Sequence, residues 1–323
     1  MMLSIPELEH LQEARARISG SLHRTPVASS RALSERVGRP VFLKCENLQR
    51  TGSFKVRGAL NRILELDNMA RGRGVATVSA GNHAQAVAWA AARAGISATV
   101  VMPANASPTK ARASEEYGAE VILQGTIIGA FDLALEVAQD RGLTFLHAFD
   151  DPLIIAGQGT VALEILEDVP DVATVVAPVG GGGLISGVAL AMANLAPAAR
   201  VFGVEPHGAC AMRKSLDKGE AVHVESVDTI ADGLGAPMAG ELTFEVVRRH
   251  VEDVVLVSDD EISEAMAFIL ARTKLLVEPA GAAGVAALLA GRIPLADGPV
   301  VAVLSGGNVD LDRLPDLLGT AGG

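Results

Sequence analysis

Short runs of consecutive apolar residues alternate with longer stretches of helical spacing along most of the chain. VATV (75–78), ATVVMP (98–103), AEVILQ (119–124) and LTFLHA read as strands. An alanine-rich run through Arg93 fills the first gap as a helix. SPTKARASEEYG (107–118) fills the second, opening with a serine cap and a proline in its first turn. DLALEVAQD gives the third. A second series starts after Asp150, with QGTVALEILEDV as a helix, TVVAPV (174–179) as a strand and LISGVALAMANL as a helix. RVFGVEP, DVVLVS and VVAVLS (300–305) follow as strands. Strands that are apolar at every position, not at every second one, are buried on both faces, as in a parallel sheet. The strand–helix rhythm predicts an α/β fold, and the break at FDDP reads as a domain boundary near 150–152.

The flanking segments narrow the class further. MMLSIPELEHLQEARARISG carries acids and a proline where a signal peptide would need an apolar centre, so it reads as an amphipathic helix. LLVEPAGAAGVAALLAG (275–291) is the most apolar long stretch, but Glu278 and Pro279 interrupt it, which favours a buried helix preceded by a loop over a membrane span. A formal charge of −11 without a basic stripe argues against nucleic acid. Cys45 and Cys210 form no CxxC pair, which suits a reducing cytoplasm.

In open α/β sheets ligands sit beyond the carboxyl ends of the strands, so the residues just after each expected strand are the candidates for chemistry. VGGGGL (179–184) lies between a strand and an apolar helix. Four glycines there let backbone N–H groups approach an anion at a helix start, which suits a phosphate. The run matches neither GxxxxGK[ST] nor GxGxxG. TGSFKVRG places Lys55 among small and apolar neighbours, where burial would lower its pKa and make it a nucleophile, Schiff-base former or proton shuttle; an ordinary surface lysine is the bland alternative. SAGNHAQ offers Ser79, Asn82, His83 and free N–H groups to a carboxylate or phenolate, against a merely helix-capping histidine. LSGGN offers the Ser305 hydroxyl, against a plain turn. A phosphate cradle, an activated lysine, a carboxylate turn and a hydroxyl donor together suit pyridoxal 5'-phosphate.

KCENLQRTGSFKVRGA (44–59), SAGNHAQ, AGQGT (156–160), VGGGGL, VEP (204–206), ADG (231–233), VEPAGA (277–282) and LSGGNVD (304–310) occur in that order over nearly the whole chain. In this combination the sequence resembles the serine/threonine dehydratases, fold-type II (tryptophan-synthase-like) pyridoxal-phosphate enzymes related to the serine racemases. The resemblance implies a two-domain α/β fold of open, mostly parallel twisted sheets flanked by helices. Its large cofactor-binding domain would comprise 1–64 and 151–323, and its small domain 65–150. Lys55 would carry the cofactor as a Schiff base and act as the catalytic base. Phe54 and Asn82 would contact the ring and its 3-hydroxyl oxygen, Ser305 the ring nitrogen, and Gly180, Gly181, Gly182, Gly183 and Leu184 the phosphate. Ser79, Ala80, Gly81, Asn82 and His83 would hold the substrate carboxylate.

The activity so implied is β-elimination of L-threonine to 2-oxobutanoate and ammonia, extending to L-serine, by a homodimer or homotetramer in the cytoplasm. Racemases of the family carry a second serine in the turn; Ala80 stands there and cannot move a proton, which disfavours racemisation. Racemase-like members can bind a divalent cation through a glutamate and an aspartate six residues on. Glu205 is present but the later position is Ala211, so no metal is expected. The chain ends shortly after LSGGNVD, so feedback through a C-terminal regulatory domain is not expected. The alternatives are a serine racemase, a dehydratase of another 3-hydroxy amino acid, and a non-catalytic protein that uses the tetraglycine to bind a phosphorylated ligand. Cysteine-synthase-type replacement fits less well, because its substrate loop is TSGNTG-like.

Overall fold

The computed structural model describes residues 4–319, and the side chains of 127 and 128 are outside the description. Among the described residues ten strands form two sheets: β1 Val27–Ser29, β2 Val41–Cys45, β3 Val75–Val78, β4 Ala98–Met102, β5 Glu120–Leu123, β6 Thr144–Phe145, β7 Thr174–Pro178, β8 Arg200–Pro206, β9 Asp253–Val257 and β10 Val300–Leu304. One sheet runs β1-β2-β10-β7-β8-β9, parallel except for β1, and the other runs β5-β4-β3-β6, parallel throughout. This is the expected α/β architecture of mostly parallel sheets flanked by helices.

The continuous apolar runs have the expected cause. Along β7 and β10, Val175, Ala177, Val301 and Val303 pack into one core, while Val176, Val300, Ala302 and Leu304 pack into a second. Side chains alternate across a strand, so a sheet covered on both faces needs apolar residues at every position. Helices Leu8–Ile18, Pro152–Asp168, Gly183–Leu195 and Glu241–His250 contribute to the first core; Asp259–Thr273 and Pro279–Leu289 contribute to the second. The 275–291 stretch thus is a buried helix after a loop.

Beyond the short β1, which the sequence reading did not contain, two elements depart from it. The helix expected from QGTVALEILEDV begins at Pro152, not near Gln158. Its interior glycines disguised it, and they are there for contact. A Cβ on Gly157 would lie 2.6 Å from Gly58 Cα, and one on Gly159 would lie 2.6 Å from Leu11 Cδ2. Glycine costs helix stability, but here it lets three helices approach at backbone distance. The FDDP segment is a pair of caps. Asp151 accepts from the N–H groups of Leu153 and Ile154 at 2.7 and 3.2 Å, and Asp150 accepts from those of Glu241, Leu242 and Thr243 at 3.0–3.1 Å.

The second departure is β2, which lacks a clean apolar run because Lys44 interrupts it. Lys44 is fully buried; its Nζ donates to Thr25 O at 2.7 Å and pairs with Glu164 at 2.5 Å. The same carboxylate meets Arg57 at 2.7 Å, and Arg57 also forks onto Glu46 at 2.7 and 2.8 Å. Burial works against the Arg57 charge, yet Glu46 and Glu164 hold its pKa above the ordinary value. Burial likewise pushes Glu164 up, but Arg57 and Lys44 outweigh it and hold that carboxyl low. Two cations and two carboxylates therefore lock the end of β2 and the helices Lys55–Leu64 and Pro152–Asp168 into one unit.

Removing one member of a buried pair strands its partners, at a cost of about 3–5 kcal/mol. Arg57→Met is expected to lower the unfolding free energy by about that much in urea titrations. A loss below about 1 kcal/mol would mean that the four charges are effectively solvated.

Candidate functional site

Adjacent strands β2, β10 and β7 end side by side, and their carboxyl ends deliver three of the four expected sites to one cleft. Phe54, Lys55, Asn82, Phe149, Gly180, Gly181, Gly182, Gly183, Leu184, Gly233, Glu278 and Ser305 are among its walls. Asn82 arrives from the other sheet, on the turn after β3. Ser79, Ala80, Gly81 and His83 share that turn but do not line the cleft themselves.

Lys55 opens helix Lys55–Leu64, and its Nζ donates to Ala148 O at 3.1 Å. It lies 5.3 Å from the centroid of the Phe54 ring, and the Phe54 N–H donates to Ser305 O at 3.0 Å, tying the lysine turn to the end of β10. The residue is half-buried, but its ammonium is deep enough for loss of water to lower the pKa to about 8, with Glu278 pulling the other way.

The tetraglycine is a close-packed cradle. A Cβ on Gly181 would fall 2.3 Å from the Phe149 ring, and one on Gly182 would fall 2.8 Å from Met212 Cε and Thr243 Cβ. Gly182 has φ +95°, a left-handed conformation that glycine takes without strain. Thr243 Oγ1 donates to Gly181 O at 2.7 Å; in a trans peptide this turns the Gly182 N–H to the opposite side. Helix Gly183–Leu195 starts immediately afterwards, so its unpaired first N–H groups and its dipole favour an anion at this end.

Ser79 Oγ accepts from the Gly81 N–H at 3.1 Å, shaping the turn before helix Asn82–Ala94. The His83 imidazole is 2 % exposed and neither ring nitrogen has a hydrogen-bond partner. Burial, with Lys55 adding to it, lowers its pKa to about 3, so the ring is neutral. What His83 can offer a carboxylate is its N–H at the helix start.

Residues without an assigned role in the sequence reading also gather here. Glu278 is 2 % exposed, and its Oε1 accepts from Asn82 Nδ2 at 2.5 Å while Oε2 has no partner. Asn308 Nδ2 donates to Asn82 Oδ1 at 2.8 Å and to Thr51 O at 2.7 Å. Lys110, on Pro108–Glu116, pairs with Asp232 at 2.6 Å, and Ser107 donates to Asp310 at 2.9 Å. A carboxylate inside an otherwise apolar stretch was the available signal for Glu278; the others depend on contacts between distant segments. Among the described residues no cluster of three His, Cys, Asp or Glu side chains could hold a metal, and Glu205 instead accepts from the N–H groups of Met212 and Arg213 at 2.9 and 2.8 Å.

The donor set fits a phosphorylated aromatic aldehyde: glycine N–H groups at a helix start for the phosphate, the Phe54 ring and a buried Ser305 for the aromatic part, and an amine of lowered pKa for the aldehyde. An amine with pKa about 8 is protonated below that pH and nucleophilic above it. The rate at which Lys55 is captured by a small aldehyde and reductively trapped, followed by peptide mapping, is therefore expected to rise through pH about 8 and level off above it. A midpoint at the ordinary lysine value would place Lys55 in water.

Comparison with known proteins agrees with this geometry. Residues 18–306 match the pyridoxal-phosphate dependent enzyme family. The chain is 46 % identical over 312 residues to an L-threonine ammonia-lyase of Thermotoga maritima, covering 96 % of this chain and 78 % of that one. It is 42 % identical over 315 residues to the catabolic L-threonine dehydratase TdcB of Escherichia coli, covering 97 % and 96 %. The solved structure of maize serine racemase superposes with a TM-score of 0.93 at 41 % identity, covering 97 % of each chain. With the match spanning both sheets and every wall of the cleft, the chain belongs to the family of pyridoxal-phosphate dependent enzymes.

Proposed function

We propose that this protein is a threonine ammonia-lyase that converts L-threonine to 2-oxobutanoate and ammonia and also acts on L-serine. The observation that carries the reading is the convergence of Lys55, with its lowered pKa, and the tetraglycine on one cleft beside the Asn82 turn. Relatives named for threonine breakdown, at 42–46 % identity over nearly the whole chain, support the substrate.

When bound, pyridoxal phosphate supplies an electron sink for the carbanion formed at the substrate Cα. In the proposed arrangement Gly180, Gly181, Gly182, Gly183 and Leu184 hold its phosphate, and Phe54 and Asn82 contact the ring and its oxygen. Ser305 offers a hydroxyl to the ring nitrogen. Unlike a carboxylate, that hydroxyl would not hold a proton on the nitrogen. The N–H groups of the Ser79–His83 turn orient the substrate carboxylate, and Lys55 Nζ takes the Cα proton. The resulting ammonium is then the acid at hand for the departing hydroxyl.

The domain division also belongs to this reading. All four strands of the smaller sheet fall within 75–145, which supports a small domain of 65–150 inserted into a large one of 1–64 and 151–323. Among the described residues no helix is long and apolar enough to cross a membrane. Free, buried Cys45 and Cys210 support a reducing compartment, and the reading extends to a cytoplasmic homodimer or homotetramer.

Racemisation is a second reading, favoured by the close superposition on maize serine racemase. It needs a proton carrier on the face opposite Lys55, and Ala80 supplies none. L-Threonine is expected to yield 2-oxobutanoate, and Lys55→Ala is expected to lower kcat by about 10³-fold or more. Borohydride should trap the cofactor on Lys55. Turnover surviving in Lys55→Ala would overturn the mechanism. Rapid appearance of D-serine from L-serine would overturn the choice of reaction.

A further inference from the structure

Among the described residues Glu278 is the one carboxylate lining the cleft, and the proposed chemistry gives it no task. It stands at the cap position of helix Pro279–Leu289, yet its side chain caps none of that helix's N–H groups. Its one side-chain hydrogen bond goes to Asn82.

That bond is the end of a chain with a fixed direction. Thr51 O can only accept, so the Asn308 group facing it is the amide nitrogen, with one N–H on Thr51 O at 2.7 Å. The second N–H of the same group reaches Asn82 at 2.8 Å, which requires the Asn82 oxygen on that side. The Asn82 nitrogen is thereby turned toward Glu278, where one N–H is accepted at 2.5 Å and the other is left over. The anchor of the chain is itself unusual, since Thr51 is a β-branched residue at φ +60°.

We propose that Glu278 is a positioning residue for the cofactor: it accepts one N–H of Asn82, aims the remaining N–H at the cofactor ring oxygen, and relaxes that hold when it takes up a proton. The inference rests on the reading of Asn82 as the ring-oxygen contact. Burial raises the Glu278 pKa to about 7, and the groups packed around it oppose one another. Lys110 from helix Pro108–Glu116 and Lys55 from helix Lys55–Leu64 favour the carboxylate, as does the Asn82 hydrogen bond, whereas Asp232 disfavours it. Below about pH 7 the carboxyl becomes neutral and accepts the Asn82 N–H more weakly; above it the hold is complete.

The test is a pH titration of the bound cofactor's visible absorbance in the holoenzyme, with cofactor content measured alongside. Wild type is expected to show a single one-proton transition, that of the Glu278 carboxyl, whose midpoint the Schiff base shifts from the cofactor-free value by removing the Lys55 ammonium. Glu278→Gln keeps an oxygen for Asn82 but cannot titrate, so it should retain cofactor and lose the transition. Asn82→Ala, which leaves Glu278 in place, should lose the transition as well, and adding Glu278→Gln to it should change nothing more. Persistence of the wild-type transition in either single variant would overturn the proposal, as would a further shift in the double variant. The readout needs no substrate, so a wrong substrate assignment leaves it untouched; failure of wild type to retain cofactor would instead strike at the reading of the cleft.

Discussion

Four buried charges set the position of everything else in the cleft. Arg57, Glu46, Glu164 and Lys44 neutralise one another in the space between β2 and two helices, and Arg57 stands two residues after Lys55. Isolated, any of them would be too costly to bury; together they are tolerable only if each stays where its partners are. That condition makes the backbone around Lys55 stiff. The lysine amine can then be desolvated without the chain relaxing to return it to water.

Close backbone packing completes the frame. Gly58, Gly157, Gly159 and Gly187 let helices Lys55–Leu64, Pro152–Asp168 and Gly183–Leu195 touch where any side chain would separate them. The first of these helices starts at the reactive amine and the last starts at the anion cradle. Their spacing therefore fixes the distance between the two, and a methyl group added far from the cleft would change it.

Much of this was legible in the sequence because the signals were local. Apolar runs gave β3 to β10, and the turns after β3, β7 and β10 gave Asn82, the tetraglycine and Ser305, which line one cleft. What was not legible depended on pairing across the chain. β2 escaped because Lys44 looks polar until Glu164 is placed beside it, and glycines 157 and 159 looked like breaks until the facing helices were in view. Glu278 was visible only as an interruption in an apolar stretch. Its link to Asn82 joins segments that only the packing of one sheet against the other brings together. His83 shows the opposite limit: its place in the turn was readable, but not that its ring is sealed away and neutral.

The two adjacent aspartates of FDDP place a constraint on chain length. Asp150 closes the start of helix Glu241–His250 and Asp151 closes the start of Pro152–Asp168, while Ala148, two residues earlier, presents the carbonyl that receives the Lys55 amine. One inserted residue advances the chain by about 3.8 Å, more than the length of any of these hydrogen bonds. An insertion or deletion between Ala148 and Asp151 would therefore uncouple a helix start from the amine's acceptor in a single step. Loop length is therefore fixed at these positions, and so are the two carboxylates that make the caps.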